Sequence, residues 1–325
     1  QSAIGLDVQY NLSGSFKTNA TVNPDFAQVE ADLTEINLTR FPTRVIEKRP
    51  FFVEGNSFFD TPLDLFFSRR IGSRGNIIWG GKMTGKVGKY SVGLLNSQTG
   101  NAELIDWGSG PEISESALYT AFRVKRDVFR QSNVGIVYVG KELNDSYSRI
   151  GGIDAAFTLP KNYKIQGQHA MSFNSEQGSN NNAVRFELSQ RNFLWNAAVG
   201  FQRTDPLFEM NQTGFLNKEP FRGWQNIYVR GNYGPRLGPH RVFAQGHVEV
   251  GKNLYDRRYF EGWINNQSFL LITPDFHENL FLWNGRAETG IEFTESFLNS
   301  ISIFLERSHK IEPSRIYDAN VMGFR

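Results

Sequence analysis

From residue 76 onward the chain alternates apolar and polar side chains with a period of two, in one segment after another, and this pattern constrains the fold more than any other feature. In "ALYTAFRVKRD" Leu118, Phe122 and Val124 share one face and Arg123 and Lys125 the other. "SNVGIVYVG" alternates Val134, Ile136 and Tyr138, and "NAVRFELSQ" sets Val184, Phe186 and Leu188 against Arg185, Glu187 and Ser189. "LWNAAVGFQ" and "RVFAQGHVEVG" repeat the pattern, and "LFLWNGRAETGIEF" with "NSISIFLERS" reads as one more pair. Successive side chains of a strand leave opposite faces, so each segment reads as a strand with one greasy and one polar side.

The connections alternate too. Turn signals sit near residues 88, 129, 161, 192 and 236, and longer polar loops are expected at 96–116, 141–149, 173–181 and 202–226. Short and long connections in turn are what an antiparallel meander produces when one rim carries tight turns and the other carries loops.

Alternation alone fits both a soluble sandwich, with its apolar face inward, and a membrane barrel, with its apolar face toward lipid. Three features favour the membrane version. The strands are long enough to cross the hydrocarbon at a tilt, which takes about 9–11 residues. Trp79, Tyr90, Trp195 and Tyr228 fall near expected strand ends, where interfacial girdles belong. Gly and Ala occur on both faces, so no core of large residues is evident. Composition agrees: aromatic residues make up 14% of the 325 residues, with 28 Phe and 31 Gly, and the mean hydropathy is only -0.41. No apolar run approaches the roughly 20 residues of a membrane helix.

Other classes find little support. Cysteine is absent, which excludes disulfides and thiolate-held metals. Thirty-five basic against 33 acidic residues leave a formal charge of +2, which points to no nucleic-acid partner. The five histidines fall in no metal-binding spacing, and no nucleophile elbow, phosphate loop or dinucleotide fingerprint is present. No cofactor is expected. The chain begins at Gln1 without an initiator Met and has no signal peptide, as a processed or trimmed product would.

Residues 24–76 break the alternation. Within them "AQVEADLTEINL" reads equally as a short amphipathic helix or an extended segment. Carboxylates and arginines interleave with "PFF", "FF" and "LFFSRR". Charge beside so much apolar surface must pair if it is buried, and the planar arginine fork suits bidentate pairing with carboxylates. The candidates for a lumenal salt-bridge network are Asp25, Glu30, Asp32, Arg40, Arg44, Glu47, Arg49, Glu54, Arg69 and Arg70. The pairs Glu30 with Asp32 and Glu47 with Glu54 also admit an acid/base reading as a carbohydrate-active hydrolase. Asp25, Glu30 and Asp32 offer hard oxygen ligands for Ca2+, without EF-hand spacing. Ion pairing is the favoured reading, with no catalytic and no metal site assigned.

"TVNPDFAQVEADLTEINLTRF" at 21–41, "EKRPFFVEG" at 47–55 and "LFFSRRIG" at 65–72 resemble a largely uncharacterised family of bacterial outer-membrane barrels, and "IGLDVQYNLSGSFKTN" at 4–19 resembles the hairpin leading into that barrel. Members carry an N-terminal domain similar to a family-nine carbohydrate-binding module, which would precede Gln1. Family barrels also run longer than 325 residues, so the resemblance implies a fragment.

The resulting expectation is an all-β, antiparallel, up-and-down transmembrane β-barrel, not necessarily complete in this chain. Residues 1–23 would form the leading hairpin, 24–76 a charged and aromatic insert in or across the lumen, and 77–325 the barrel strands. The expected role is passage, docking or surface assembly in the bacterial outer membrane. Partners would be outer-membrane lipid and a glycan or another envelope protein. A structural barrel with a closed lumen is the other alternative to the hydrolase.

Overall fold

The computed structural model describes residues 5–24, 44–73, 76–106, 110–175, 178–210, 212–214, 223–237, 240–253, 281–292, 300–312 and 315–324. The strands are β1 (Leu6–Ser13), β2 (Phe16–Val22), β3 (Ile77–Val87), β4 (Tyr90–Thr99), β5 (Ala102–Asp106), β6 (Gly110–Ser114), β7 (Leu118–Phe129), β8 (Ser132–Glu142) and β9 (Tyr147–Leu159). They continue as β10 (Tyr163–Asn174), β11 (Gly178–Arg191), β12 (Trp195–Thr204), β13 (Trp224–Tyr233), β14 (Arg236–Leu237), β15 (His240–Asn253), β16 (Phe281–Glu292), β17 (Ser300–Glu312) and β18 (Arg315–Phe324).

One sixteen-stranded sheet runs in the order β1-β2-β3-β4-β7-β8-β9-β10-β11-β12-β13-β15-β16-β17-β18, with β14 on β15, and β5 with β6 forms a separate hairpin. Every ladder described is antiparallel, and most join chain neighbours, such as β7 with β8 and β16 with β17, while β4 pairs β7 and β13 pairs β15. Among the described residues no ladder joins β1 to β18. The chain divides into two compact units. Unit 1 holds residues 1–156, 168–182 and 207–221; unit 2 holds 157–167, 183–206 and 222–325.

The expected tight turns are present at 88–89, 130–131, 160–162 and 192–194. The loops differ from expectation in three places. β8 reaches Glu142 and β9 starts at Tyr147, leaving only 143–146 between them, and β10 and β11 leave only 175–177. Polar composition had suggested loops there, but a ladder asks only that backbone groups find partners, and polar side chains at a strand end are free to meet water. The 96–116 stretch is not a plain loop either: β4 continues to Thr99 and the β5–β6 hairpin follows. β18 was not read from the sequence, because "RIYDANVMGF" carries too little alternation.

In unit 1 the apolar face points away from the packed interior. Val8 is 50% exposed and Ile153 61%, and Tyr10, Leu12 and Ile136 are exposed with them. The opposite face is buried. It carries Thr21, Lys82, Thr84, Leu95, Ala121, Arg123, Val137 and Ile150. Residues 44–73 lie against it and supply the large core side chains that the strands lack: Phe51, Phe52, Phe59, Leu63, Leu65 and Ile71 are all buried. The expectation of no large-residue core is therefore corrected for unit 1. The core comes from a segment outside the alternating pattern.

Unit 2 has the same outward face, with Val199, Ile227, Val229, Val248, Val250, Ile303 and Leu305 exposed. Its rows are set by register: Val199 pairs Val229, and Val229 pairs Val248. The other face is polar and cross-linked. Tyr228 belongs to it, and the girdle assignment for that residue is corrected. Gly200 opposite has no side chain, so the Tyr228 ring lies over it, where a Cβ would come within 2.2 Å. The phenol donates to Glu187 at 2.5 Å. Trp79, Tyr90 and Trp195 are exposed near strand starts, consistent with a girdle.

Candidate functional site

The described part of the insert, residues 44–73, folds as short turns rather than long elements. Pro50 starts a one-turn helix α1 (Pro50–Val53), where its missing N–H costs nothing. Gly55 turns the chain at φ 67°, a left-handed conformation that glycine adopts freely. Two 3-10 turns follow at Asn56–Phe59 and Ser68–Arg70.

Arg49 is the centre of the insert. Its guanidinium donates to Glu47 Oε2 at 2.7 Å and Oε1 at 2.9 Å, to Ile71 O at 2.7 Å and to Ser68 O at 2.8 Å. It also stacks on Phe52, 4.2 Å from the ring centroid. Glu47 in turn accepts from the backbone N–H groups of Lys48 and Arg49 and from the Ser68 hydroxyl at 2.7 Å. Both side chains are under 10% exposed. Burial would push the Glu47 carboxyl up, but the Arg49 bonds and charge and the Ser68 hydroxyl outweigh it and hold the pKa below the usual carboxylate range. A buried pair stays ionised only when its remaining donors and acceptors are satisfied, and here they are. One ion pair thus ties "EKRPFF" to "SRRI".

A second group fixes the insert to the strands. Glu54 accepts from Lys17 at 2.8 Å, Asn19 at 2.7 Å and Gln9 at 3.0 Å, all from the β1–β2 hairpin. Hydrogen bonding from Lys17 and Asn19 lowers its pKa. Lys82 of β3 donates to the carbonyls of Phe51 and Glu54. Gly80, also on β3, admits the Phe51 ring: a Cβ there would stand 2.9 Å from it.

Segment 207–214 completes the packing. Phe67 N–H donates to Thr213 O at 2.7 Å, and Arg70 Nε donates to Gly214 O at 3.2 Å. Phe208 and Met210 are buried. The same segment reaches the wall through Glu209 N–H, which donates to Ser172 Oγ at 3.0 Å, and through Gln212 Oε1, which accepts from Lys141 Nζ at 2.9 Å. Leu63 N–H donates to Gln168 of β10 at 2.8 Å.

The structure joins Glu47, Arg49 and Arg69 in one cluster, Arg69 lying 3.6 Å from Glu47. It pairs Arg44 with Asp64 at 2.8 Å. Glu54 stands apart with Lys17. Glu47 and Glu54 therefore do not share a site, since each carboxylate is committed to its own cation. Asp25, Glu30, Asp32 and Arg40, and the 27–38 segment, lie outside the described residues. Sequence reasoning missed Lys17, Asn19 and Lys82, which sit in otherwise ordinary strand positions. It also missed Arg123, 2% exposed on β7 and paired with Asp154 of β9.

The polar face of unit 2 is a mesh of paired charges. Glu187 accepts from Tyr228 and Arg230, and Arg286 donates to Glu288 at 3.2 Å and Glu306 at 3.4 Å. Ser302 and Gln245 also donate to Glu288. Among the described residues no cluster of three or more His, Cys, Asp or Glu could hold a metal ion. No described helix is long and apolar enough to cross a membrane, which says nothing of crossing by strands.

Comparisons with known proteins bear on the fold. A family described as "Domain of unknown function (DUF5916)" matches residues 1–85, a range that contains all four sequence blocks quoted above. The crystal structure of Pseudomonas aeruginosa OccK5 (OpdH) is similar with a TM-score of 0.50 at 13% identity, over 99% of this chain and 80% of that one. That of P. aeruginosa OccK11 (OpdR) gives 0.47 at 10% identity, over 98% and 78%. No curated protein matches the chain. The likeness to OccK5 shows the fold, an antiparallel barrel of the porin-like type.

Proposed function

We propose that this chain forms an outer-membrane barrel for the passage or docking of small polar solutes, in which residues 44–73 narrow the interior. The observation that carries this reading is the inverted arrangement of the sheet in unit 1. Large apolar side chains are exposed on one face, and a separately folded segment is latched to the other. A soluble sheet would bury that apolar face. A bilayer covers it instead, and the wetted side then lies inside. The insert is held by a few discrete polar attachments, Glu54 to the β1–β2 hairpin and Leu63 to Gln168, rather than by strand pairing. That mode of attachment suits a segment set into a wall rather than part of it.

The network of Arg44, Glu47, Arg49, Glu54, Arg69 and Arg70, with Asp25, Glu30, Asp32 and Arg40 beside it in sequence, holds the insert in the lumen in this reading. A link to glycans is supported by the resemblance to barrels that follow a carbohydrate-binding-like module. For Glu47 and Glu54 the hydrolase reading loses support, because each is held in an ion pair; its other pair, Glu30 and Asp32, lies outside the described residues.

Planar-bilayer recording tests the proposal. Removing residues 24–76 raises single-channel conductance. Arg49→Ala, which keeps the chain length, gives a noisier and larger opening. Unchanged conductance in both variants would sink the role of the insert.

A further inference from the structure

The outward face of unit 1 is apolar along much of its height, but a cation stands in one of its rungs. Val87, Tyr90, Arg126 and Val134 pair in register across β3, β4, β7 and β8, so their side chains leave the same face. Val87 is 60% exposed, and Tyr90, Arg126 and Val134 are exposed with it. The Arg126 guanidinium lies 5.5 Å from the centroid of the Tyr90 ring. Phe129, three residues further along β7, is exposed as well. A cation on a lipid-facing surface is costly at depth and tolerated where its long side chain reaches the polar boundary. Tyr90 beside it is an aromatic of the kind that marks that boundary.

This rung lies at the tight-turn end of the strands. Two more exposed cations occupy the adjoining turns, Lys89 after Gly88 and Arg130 after Phe129. The Asp127 N–H donates to Lys89 O at 2.8 Å, which ties the two hairpin tips together. Across residues 85–91 and 124–135 Asp127 is the only carboxylate, and Lys86 takes it at 2.5 Å. Lys86 and Lys125 both pair with Ser91, the residue after Tyr90, and so leave the inner face. The two hairpins therefore hold no further carboxylate to match Lys89, Arg126 and Arg130. The loop end of the same sheet differs. There Arg149 of β9 is paired with Glu142 of β8 at 2.6 Å, and exposed Glu115 and Asp145 lie at the same end.

Three cations at the edge of a lipid-facing band suit an anionic headgroup. The arginine fork presents two parallel N–H groups to a phosphate, and each basic side chain near an anionic surface adds to the attraction. We infer that Lys89, Arg126 and Arg130 form a docking site for the headgroup of an anionic phospholipid. Arg126 donates to the phosphate, Lys89 and Arg130 hold the net negative charge, and Tyr90, Phe129 and Val134 meet the acyl chains. The inference rests on the reading of the chain as a membrane barrel, and it assigns a lipid class to one end of that barrel.

The test is native mass spectrometry of the full chain, released by mild detergent from vesicles of equal parts phosphatidylglycerol and phosphatidylcholine, with the retained lipids counted. Phosphatidylglycerol is expected to be retained over phosphatidylcholine. Arg126→Gln lowers that preference about fivefold, the worth of one cation at an anionic surface. Arg126→Lys keeps most of it, and the triple variant Lys89→Gln, Arg126→Gln, Arg130→Gln abolishes it. Arg149→Gln, at the other end, leaves it unchanged. The inference is overturned if both lipids are retained equally, if the triple variant keeps the preference, or if Arg149→Gln removes as much of it. Flotation with the same vesicles separates the two proposals. A chain that does not float with them loses the membrane reading and the site with it. A chain that floats and shows no lipid preference loses the site alone.

Discussion

Units 1 and 2 share one strand pattern and differ in what meets their polar face. In unit 1 that face is dry and crowded: the insert brings phenylalanines, and buried Arg49 and Glu47 satisfy one another. In unit 2 the described residues of that face stay polar, and the charges are linked strand to strand through Glu187, Arg286 and Glu288. Alternation thus decides which side chains share a face, but not whether that face becomes a core or a wet wall. A segment from elsewhere in the chain decides that.

The largest expected break in this contrast is Arg49→Ala. It removes the cation that hydrogen-bonds Glu47 and leaves only Arg69, 3.6 Å away; losing one partner of a buried pair costs about 3–5 kcal/mol. Limited proteolysis should then cut within 44–73 while fragments from the strands of unit 2 stay intact.

A matched glycine pair comes next. Gly80→Ala pushes a methyl into the Phe51 ring, an overpacking that costs about 1–3 kcal/mol. Gly231→Ala in unit 2 meets its first neighbour, Asn196 O, at 3.5 Å and is expected to be near neutral. The difference in urea midpoint between the two variants measures how tightly the insert fills unit 1. Equal midpoints would remove the distinction.

Acid supplies a graded test. Glu47 and Glu54 both have folded-state pKa values lowered from 4.5, so the stability they contribute is present above that value and lost as pH falls through their folded pKa. Protease access to 44–73 should be flat from pH 8 to about 5 and rise below about 4.5. Glu54→Gln should flatten part of the acid rise. An insert that loosens above pH 6 would contradict this assignment.

The smallest effect is expected in unit 2. Arg230→Ala removes one exposed cation from the unit 2 mesh and should shift ion selectivity modestly toward cations in bilayer reversal potentials. The salt dependence of that shift reports screening in a wet interior.

Much of the strand system was legible because period two is a local property. Leu118, Phe122 and Val124 fall on one face whatever the sheet encloses, and the tight turns at 88–89 and 192–194 open on Gly88 and Asn192, residue types that favour turns. The loops at 143–146 and 175–177 were overread because a polar run such as "NSEQGSNNN" looks the same in a strand as in a loop. Tyr228 lies mid-strand on the face opposite Ile227 and Val229, and only the fold shows its ring settled over Gly200, 28 positions away and directly opposite.

For the insert, the sequence determined that the charges in "EKRPFFVEG" and "LFFSRRIG" needed partners, since carboxylates and arginines beside paired phenylalanines cannot be buried singly. Only the tertiary structure decided which partners. Glu47 bonds Arg49 two residues away, yet Ser68 and Ile71 complete the cluster from about twenty residues on, and Glu54 finds Lys17 across the β1–β2 hairpin. Pairing energy falls steeply with distance, and distance between residues far apart in the chain exists only once the chain has folded.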